Sequence, residues 1–326
     1  MTLHVFANVV TPFGTAANNR GETEGNTTTL QKLIWMGLPH TTISAEAIRF
    51  ALRRLLAEQE AAGTNRSYDE AGRVNRWKDP DFATWADAGQ AGFIDDDLLG
   101  FMSAEAARAE AEAEGEAVEV PEKPGKKGKA RTRAKGKATI RRGVLELTRA
   151  VSLTHWPGDM VFNAASPGAT PSAAKGEGDN PVPYGAEVHA TRYQYGLAMT
   201  PGRLRDPSRA AKALRALAAL HTVAGNHGRF LFDFAPESLV LRVTHDPAPR
   251  LLYCFHTDDD GRTVLAPALE DRIARGDVDP RELILGGPFA DSEQGKRLQG
   301  RGAFVPAPAG VRAAVEEAVR RIEAGG

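Results

Sequence analysis

The sequence predicts an α+β fold in which strands and helices follow one another in the order βαββαβ. Short segments rich in β-branched and aromatic residues predict the strands, and two segments with apolar residues at i, i+3 and i+4 predict the helices between them. The chain has 326 residues, of which 42% are hydrophobic and 25% charged. That length suffices for one sizeable core with insertions, or for two small cores.

The first strand and the first helix lie within residues 1–64. Residues 3–9 alternate well enough to form a strand, which Pro12 and Gly14 end. Ser44 is a good N-cap for the helix that follows, and Gly63 ends that helix. The apolar residues of one helix face are Ile48, Ala51, Leu52, Leu55 and Leu56.

The second half of the pattern follows after residue 142. Two strands are predicted at 143–153 and 186–197. A second helix starts with Asp206 as N-cap and Pro207 at the first helical position, and it ends at Gly225. The remaining elements are strands at 229–234, 238–243 and 251–255 and a last helix that begins near Val311 and ends at Gly325. This order is that of a ferredoxin-like sheet, the architecture that RRM domains share.

Three segments do not fit the repeating core. Residues 65–102 hold tryptophan and phenylalanine among Gly, Asp and Asn, which indicates a small folded insertion. Residues 103–137 are first acidic and then basic, and we expect a disordered insertion there. Residues 156–184 are rich in Gly, Pro, Ser and Ala and too long for an ordinary hairpin turn, which indicates a protruding loop.

The charged insertion at 103–137 has two interpretations. It is either a solvated linker or a basic arm that its acidic neighbour holds in check until phosphate displaces it. On the second interpretation, auxiliary nucleic-acid contacts come from Lys126, Lys127, Lys129, Arg131 and Arg133.

Composition and motifs narrow the class of protein. The stretch Met1 to Pro12 reads as a strand rather than a signal peptide, and no stretch approaches the roughly 20 apolar residues of a membrane helix. Cys254 is the only cysteine, so an internal disulfide or a cysteine metal cluster is not expected. Histidines lack zinc-ligand spacing, and no GxxxxGK[ST] motif follows a strand. We expect a cytoplasmic protein without cofactor or metal.

Two neighbouring segments carry groups suited to phosphate. Glycines in the polar loop 18–29 allow a ligand to approach the backbone, and Arg20 supplies a planar donor fork. Ser44 begins a helix whose N-terminal amides can hold phosphate, and Arg49 and Arg53 lie one turn apart on its polar side. The alternative is a simple polar loop followed by a solvated basic helix face.

Several ordered blocks of the sequence resemble the DevR-type backbone proteins of type I CRISPR systems. These blocks are Asn19–Glu22, Gly25–Asn26, His40–Arg53, Phe93–Phe101 and Gly225–Phe230. The resemblance runs, with gaps, from the first strand to about His245.

The resemblance implies an RRM-like palm, residues 1–64 and 138–326, with a helical fingers insertion at 65–102 and a thumb loop at 156–184. It also implies a non-catalytic role in antiviral defence. Copies of the protein would stack along a CRISPR guide RNA, together with other Cascade subunits, and present the guide for pairing with target DNA. Carried over by position, the guide-RNA contacts are Arg20, Asn26, Thr27, Ser44, Arg49 and Arg53.

Other functions stay open at this point. A guide-processing endoribonuclease with a ferredoxin-like fold would need a general base near a ribose 2′-OH, and His155 and His227 are candidates without an identified partner. A DNA-binding autoregulator would use the basic arm, although no helix-turn-helix is visible. The run Asp95 to Asp97 is either a metal site or a helix-capping cluster, and adjacent residues do not face one point on a regular element.

Overall fold

A computed structural model of the protein describes residues 1–17, 23–104, 138–165, 182–223, 232–258 and 261–325. It confirms a mixed α+β fold built on antiparallel sheets. Arg20, His227 and the basic residues from Lys126 to Arg133 lie outside the described residues. Within the described ranges, no helix is long and apolar enough to cross a membrane.

The elements are numbered in chain order. The strands are β1 (His4–Val10), β2 (Gly14–Ala17), β3 (Thr23–Glu24), β4 (Thr27–Thr28), β5 (Lys32–Trp35), β6 (Leu38–Ile43), β7 (Arg66–Asp69), β8 (Val74–Trp77), β9 (Gly100–Ala104), β10 (Ala138–Arg142), β11 (Leu145–Leu147), β12 (Ala150–Ser152), β13 (Met160–Ala165), β14 (Val182–Thr191), β15 (Tyr193–Met199), β16 (Ser238–Thr244), β17 (His256–Thr257), β18 (Val264–Leu265) and β19 (Leu283–Gly286). The α-helices are α1 (Ala45–Leu56), α2 (Ala83–Ala86), α3 (Ile94–Leu99), α4 (Arg209–Ala218), α5 (Pro267–Ala274), α6 (Pro288–Asp291), α7 (Glu293–Gly300) and α8 (Val311–Gly325). Short 3₁₀ turns lie at Pro201–Arg203 and Pro280–Glu282.

The main sheet has the strand order β19-β16-β1-β15-β12-β6-β5, and β11 also pairs with β15. Every pairing in it is antiparallel. Phe6 in the middle of β1 lies opposite Ala198 of β15 on one side and Arg242 of β16 on the other. The strands that correspond to the predicted βαββαβ order therefore lie in the spatial order β16, β1, β15, β12.

Both faces of the central strand are covered. Val5, Ala7 and Val9 belong to the larger apolar core, which α1, α4 and α8 complete. Phe6 and Val10 point to the opposite face and belong to a second core, built with the segment from about residue 251 to residue 309. A strand buried on both sides reads as a nearly continuous apolar run, as β1 does.

The predicted helix ends differ in accuracy. Ser44 is the N-cap of α1, as predicted, and its Oγ accepts from the amide of Ala47 at 3.2 Å. The helix ends at Leu56, before the predicted Gly63. The second helix starts at Arg209 rather than after Asp206, because the Asp206 carboxylate accepts from both the amide and the hydroxyl of Ser208 in a preceding turn. The last helix is confirmed as α8.

Three of the predicted strands need correction. The stretch 251–255 is a turn, in which Tyr253 has a φ of 54° and its amide donates to the side chain of Asn8. The described part of 229–234 is not a strand. The stretch 143–153 is two short strands, since Thr148 between them accepts from the amide of Gly196 through its hydroxyl.

The insertion at 65–102 contains a β7–β8 hairpin as well as the short helices α2 and α3, so helix accounts for only part of it. The loop predicted at 156–184 begins and ends in paired strands, because β13 and β14 run antiparallel from Met160 to Glu187. Strands β2 and β4 add to β14, which links this hairpin to the segment that follows β1.

Candidate functional site

Helix α1 brings three of the predicted contact residues together. Ser44 caps its N-terminus, and Arg49 and Arg53 follow on its half-buried polar side. Arg49 donates to the carbonyl of Leu99 at the end of α3. Arg53 donates through Nε to the carboxylate of Asp95 at 3.1 Å. Both guanidinium groups are therefore tied to α3, which the sequence pattern did not indicate.

A third arginine, Arg66 of β7, completes a positive cluster beside α1. Burial lowers the pKa of Arg49 below its ordinary value, and the charge of Arg53 lowers it further. The pKa of Arg66 is lowered for the same two reasons, with burial again the larger. Because the positive charges of the three arginines repel one another, a bound anion would relieve this repulsion.

The run of aspartates on α3 is buried and structural. Asp95 accepts from the amides of Asn65 and Arg66 at 2.7 and 3.2 Å in addition to Arg53. Asp97 accepts from the amide of Arg205 at 3.0 Å and from the guanidinium of Arg209 at 3.1 Å. The carboxylates thus serve different partners, and rather than capping α3 they bind the amides of other segments. Among the described residues, no group of three or more His, Cys, Asp and Glu is placed to hold a metal ion.

Asn26 and Thr27 do not belong to the main sheet, on which α1 packs. Thr27 begins β4, which lies in the smaller sheet with β13 and β14, and Asn26 directly precedes it. The carbonyl of Asn26 accepts from the amide of Gly185 at 3.0 Å, and Thr27 pairs with Gly185 in β14. A Cβ at Gly185 would come within 2.9 Å of the Thr27 hydroxyl, so glycine permits this close approach. Asn26 is exposed and Thr27 half-buried. The segment after β1 is therefore attached to the β13–β14 hairpin.

A groove of about 790 Å³ lies on the face of the main sheet that Phe6 occupies, opposite the face that α1, α4 and α8 cover. Its basic lining includes His4 and the exposed residues Arg142 and Arg203. Among the described residues, Arg142 is paired only with Glu146, at 2.6 Å, and their side chains are 82% and 51% exposed. Such a surface pair contributes little to stability, so a phosphate can replace the carboxylate. No sequence pattern indicated this groove. It is lined by outward-facing residues of adjacent strands that are far apart in the sequence.

Glu146 connects this groove to α1. It lines the groove, and its charge raises the pKa of Arg49, which shows that Arg49 lies within electrostatic reach. Arg149, two residues beyond β11, is exposed and donates to the hydroxyl of Thr42 at 3.1 Å. Arg149 thus adds an exposed cation directly after Thr148, which lines the groove.

A buried polar network holds the base of the β13–β14 hairpin. The hydroxyl of Thr41 lies 2.7 Å from Nδ1 of His189 and 2.8 Å from the hydroxyl of Tyr193. The other ring nitrogen of His189 lies 3.2 Å from the hydroxyl of Thr154. Burial lowers the pKa of His189 to about 4, so its ring is neutral at neutral pH. Both ring nitrogens are occupied, which makes His189 a structural histidine.

The protein is similar to known proteins both in its fold and in its sequence. The fold is similar to that of a chain of a CRISPR RNA-guided surveillance complex, with a TM-score of 0.50 over 98% of this chain and 100% of that chain and 14% sequence identity. No family-wide sequence profile matches the chain. The CRISPR-associated protein Cas7/Cst2/DevR of Myxococcus xanthus (strain DK1622) is 54% identical over 327 residues, which cover 99% of each chain. The protein therefore belongs to the Cas7/Cst2/DevR family, which confirms the resemblance found in the sequence.

Proposed function

We propose that this protein is a non-catalytic, guide-RNA-binding subunit of a type I Cascade effector in the cytoplasm. Copies of it line up along one guide RNA and, with other Cascade subunits, present the guide for pairing with target DNA. The observation that carries this proposal is the 54% identity, over the whole chain, to a Cas7/Cst2/DevR protein. The fold shared with a chain of a CRISPR RNA-guided surveillance complex supports it.

The main sheet supports an RRM-like palm at 1–64 and 138–326. In a ferredoxin-like βαββαβ unit the fourth strand lies beside the first, then come the third and the second, and all neighbours are antiparallel. The order β16, β1, β15, β12 fits this arrangement. The insertion at 65–102 then corresponds to the fingers, and the β13–β14 hairpin forms the described part of the thumb at 156–184.

The groove on the sheet is the proposed path of the guide backbone. Single-stranded RNA binds to the open sheet face of RRM domains, and cationic side chains neutralise its phosphates. In this protein the second core covers Phe6 and Val10 on that face, and the groove lies beside this core. Arg142 and Arg203 supply exposed charges there, and Arg49 lies within electrostatic reach of Glu146 in the groove lining. The contacts proposed at Arg20, Asn26, Thr27, Ser44 and Arg53 extend this path. Arg53 would act through its terminal nitrogens, because Asp95 occupies its Nε.

The geometry does not favour guide processing. A guide-processing endoribonuclease needs a general base that can reach a ribose 2′-OH, and His155 is the candidate among the described residues. His155 is exposed, but its buried neighbour His189 has hydroxyl groups at both ring nitrogens and cannot serve as the second acid–base group. No described feature favours a DNA-binding autoregulator over an RNA-binding subunit.

Co-expression with guide RNA and the other Cascade subunits tests the proposal. We expect a ribonucleoprotein with several copies of the protein per guide, in which the RNA is protected from nuclease and remains uncut by the protein. Added salt should weaken the association, since phosphate contacts release counterions. Cryo-EM of the purified complex would count the copies. An RNA-free monomer under these conditions would overturn the proposal.

A further inference from the structure

A separate pocket lies between α1 and the β7–β8 hairpin. Its volume is about 320 Å³, near the lower end of the range for small-molecule sites. Five side chains define it: Phe50, Arg53 and Arg54 from α1, and Arg66 and Tyr68 from β7. Neither the proposed backbone path along the sheet nor the fold itself requires this combination of aromatic and basic groups.

Two aromatic rings form a corner in the pocket. The centroids of Phe50 and Tyr68 lie 5.7 Å apart, and the ring planes meet at 80°. The two residues are 37% and 38% exposed, so their rings are only partly covered. Exposed rings are suited to stacking on a planar ligand, and a base gains favourable free energy on such a surface whatever its sequence.

Three guanidinium groups surround this corner. Arg66 donates through Nε to the side chain of Asn75 at 3.0 Å, and Arg53 donates through Nε to Asp95. The terminal nitrogens of both arginines have no hydrogen-bond acceptor among the described residues. Arg54 has only a long contact of 3.7 Å with Glu70, and both side chains are more than two-thirds exposed. The pocket therefore offers free, forked donors of the kind that bind phosphate.

The remaining lining groups suit the edge of a base. Thr64, Ser67 and Asn75 carry small polar groups that donate and accept hydrogen bonds, and Glu58 and Glu70 can accept from exocyclic amino groups. A simple anion would use only the arginines and would leave both aromatic rings without a partner in the ligand. A ligand that carries both a planar base and a phosphate uses every part of the pocket.

We propose that this pocket binds one unpaired nucleotide of a single-stranded RNA, with the base stacked on Phe50 or Tyr68 and its phosphate held by Arg54 and Arg66. The inference rests on the proposed function, because it assumes that the protein binds RNA. The pocket between α1 and the β7–β8 hairpin would add a base-binding position to a path that otherwise consists of phosphate contacts.

Photo-crosslinking of the full-length protein is the direct test. A short single-stranded RNA containing 5-bromouridine is irradiated with the unmodified protein, and mass spectrometry locates the attached peptide. We expect attachment to the peptides that contain Phe50 or Tyr68.

Affinity measurements with Phe50→Ala and Tyr68→Ala accompany this test. The variant that removes the stacking ring should weaken RNA binding roughly tenfold, as expected for the loss of one stacked base, and the other should have a smaller effect. Leu265→Ala is the matched control, since Leu265 is 36% exposed and lies outside the pocket. If the unmodified protein binds RNA but neither variant loses affinity and crosslinks fall elsewhere, the pocket proposal fails and the proposed function stands. If the protein binds no RNA at all, the proposed function fails first.

Discussion

Arg53 of α1 and Asp95 of α3 form an ion pair of 3.1 Å that is almost closed to solvent, with side chains 14% and 2% exposed. The sequence pattern assigned Arg53 to nucleic-acid contact, and the structure shows that the same side chain joins two helices. Its Nε donates to Asp95, and the same side chain lines the pocket that contains Phe50. Substitution of Arg53 would therefore change folding and binding together, and other residues are needed to separate the two.

The first prediction concerns Asp95. Asp95→Ala should lower the free energy of unfolding by about 3–5 kcal/mol, because it leaves a buried arginine without its partner. The amides of Asn65 and Arg66 also lose their acceptor. Chemical denaturation at neutral pH measures the change. Glu70→Ala is the control, since Glu70 is 74% exposed and should change stability by less than about 0.5 kcal/mol. Equal losses in the two variants would contradict the structural role of Asp95.

The second prediction concerns the pH dependence that Asp96 gives the protein. Burial, together with the charge of Asp95, raises the pKa of Asp96 from 3.8 to about 7. The folded state therefore binds the carboxyl proton of Asp96 more tightly than the unfolded state does. The stability that the protonated carboxyl contributes is fully present below about pH 4 and is lost as the pH rises to about 7.

Asp96→Asn should remove this loss, because an amide does not ionise. Relative to the unmodified protein, the variant should gain about 1–2 kcal/mol between pH 4 and pH 8, after allowance for solvent screening. Urea denaturation across this pH range provides the measurement. Asp271→Asn, at an exposed position on α5, is the control and should leave the pH profile unchanged. A gain that appears only at low pH would have the wrong sign.

The parts of the fold that the sequence predicted are those with strong local signals. Ser44 marks the start of α1 because its hydroxyl caps the helix, and the apolar spacing of α8 fixes its length. The stretch 251–255 was predicted as a strand because it is apolar. It is instead held as a turn by the side chain of Asn8, a contact 245 residues away that no local pattern reveals.

The candidate site was harder to predict for the same reason. The spacing of Arg49 and Arg53 correctly placed them on one side of α1, but their acceptors on α3 lie 50 and 42 residues further along the chain. The groove joins His4 to Arg142 and Arg203, which come from opposite parts of the sequence. Only the pairing of β1, β11 and β15 brings these residues together.

The third prediction concerns the polar network at the base of the β13–β14 hairpin. Thr41→Val keeps the shape of the side chain but removes the hydroxyl that contacts both His189 and Tyr193. We expect a loss of about 2–4 kcal/mol, since two buried polar groups lose a partner. Faster amide exchange in β14 would show that the hairpin loosens. Thr2→Val, at the exposed N-terminus, should have little effect, and an unchanged exchange rate in Thr41→Val would contradict the anchoring role.

The fourth prediction separates the two faces of the main sheet. Arg142→Ala and Arg203→Ala should each weaken RNA binding for every sequence and reduce the slope of log affinity against log salt by about one, because each removes one phosphate contact. Titrations at several salt concentrations give the slope. Arg215→Ala is the control, because Arg215 of α4 pairs with Glu316 of α8 at 2.7 Å on the opposite face of the sheet. The guide would run elsewhere if Arg215→Ala reduced the slope as much as the groove variants, since a general loss of positive charge would then explain all three results.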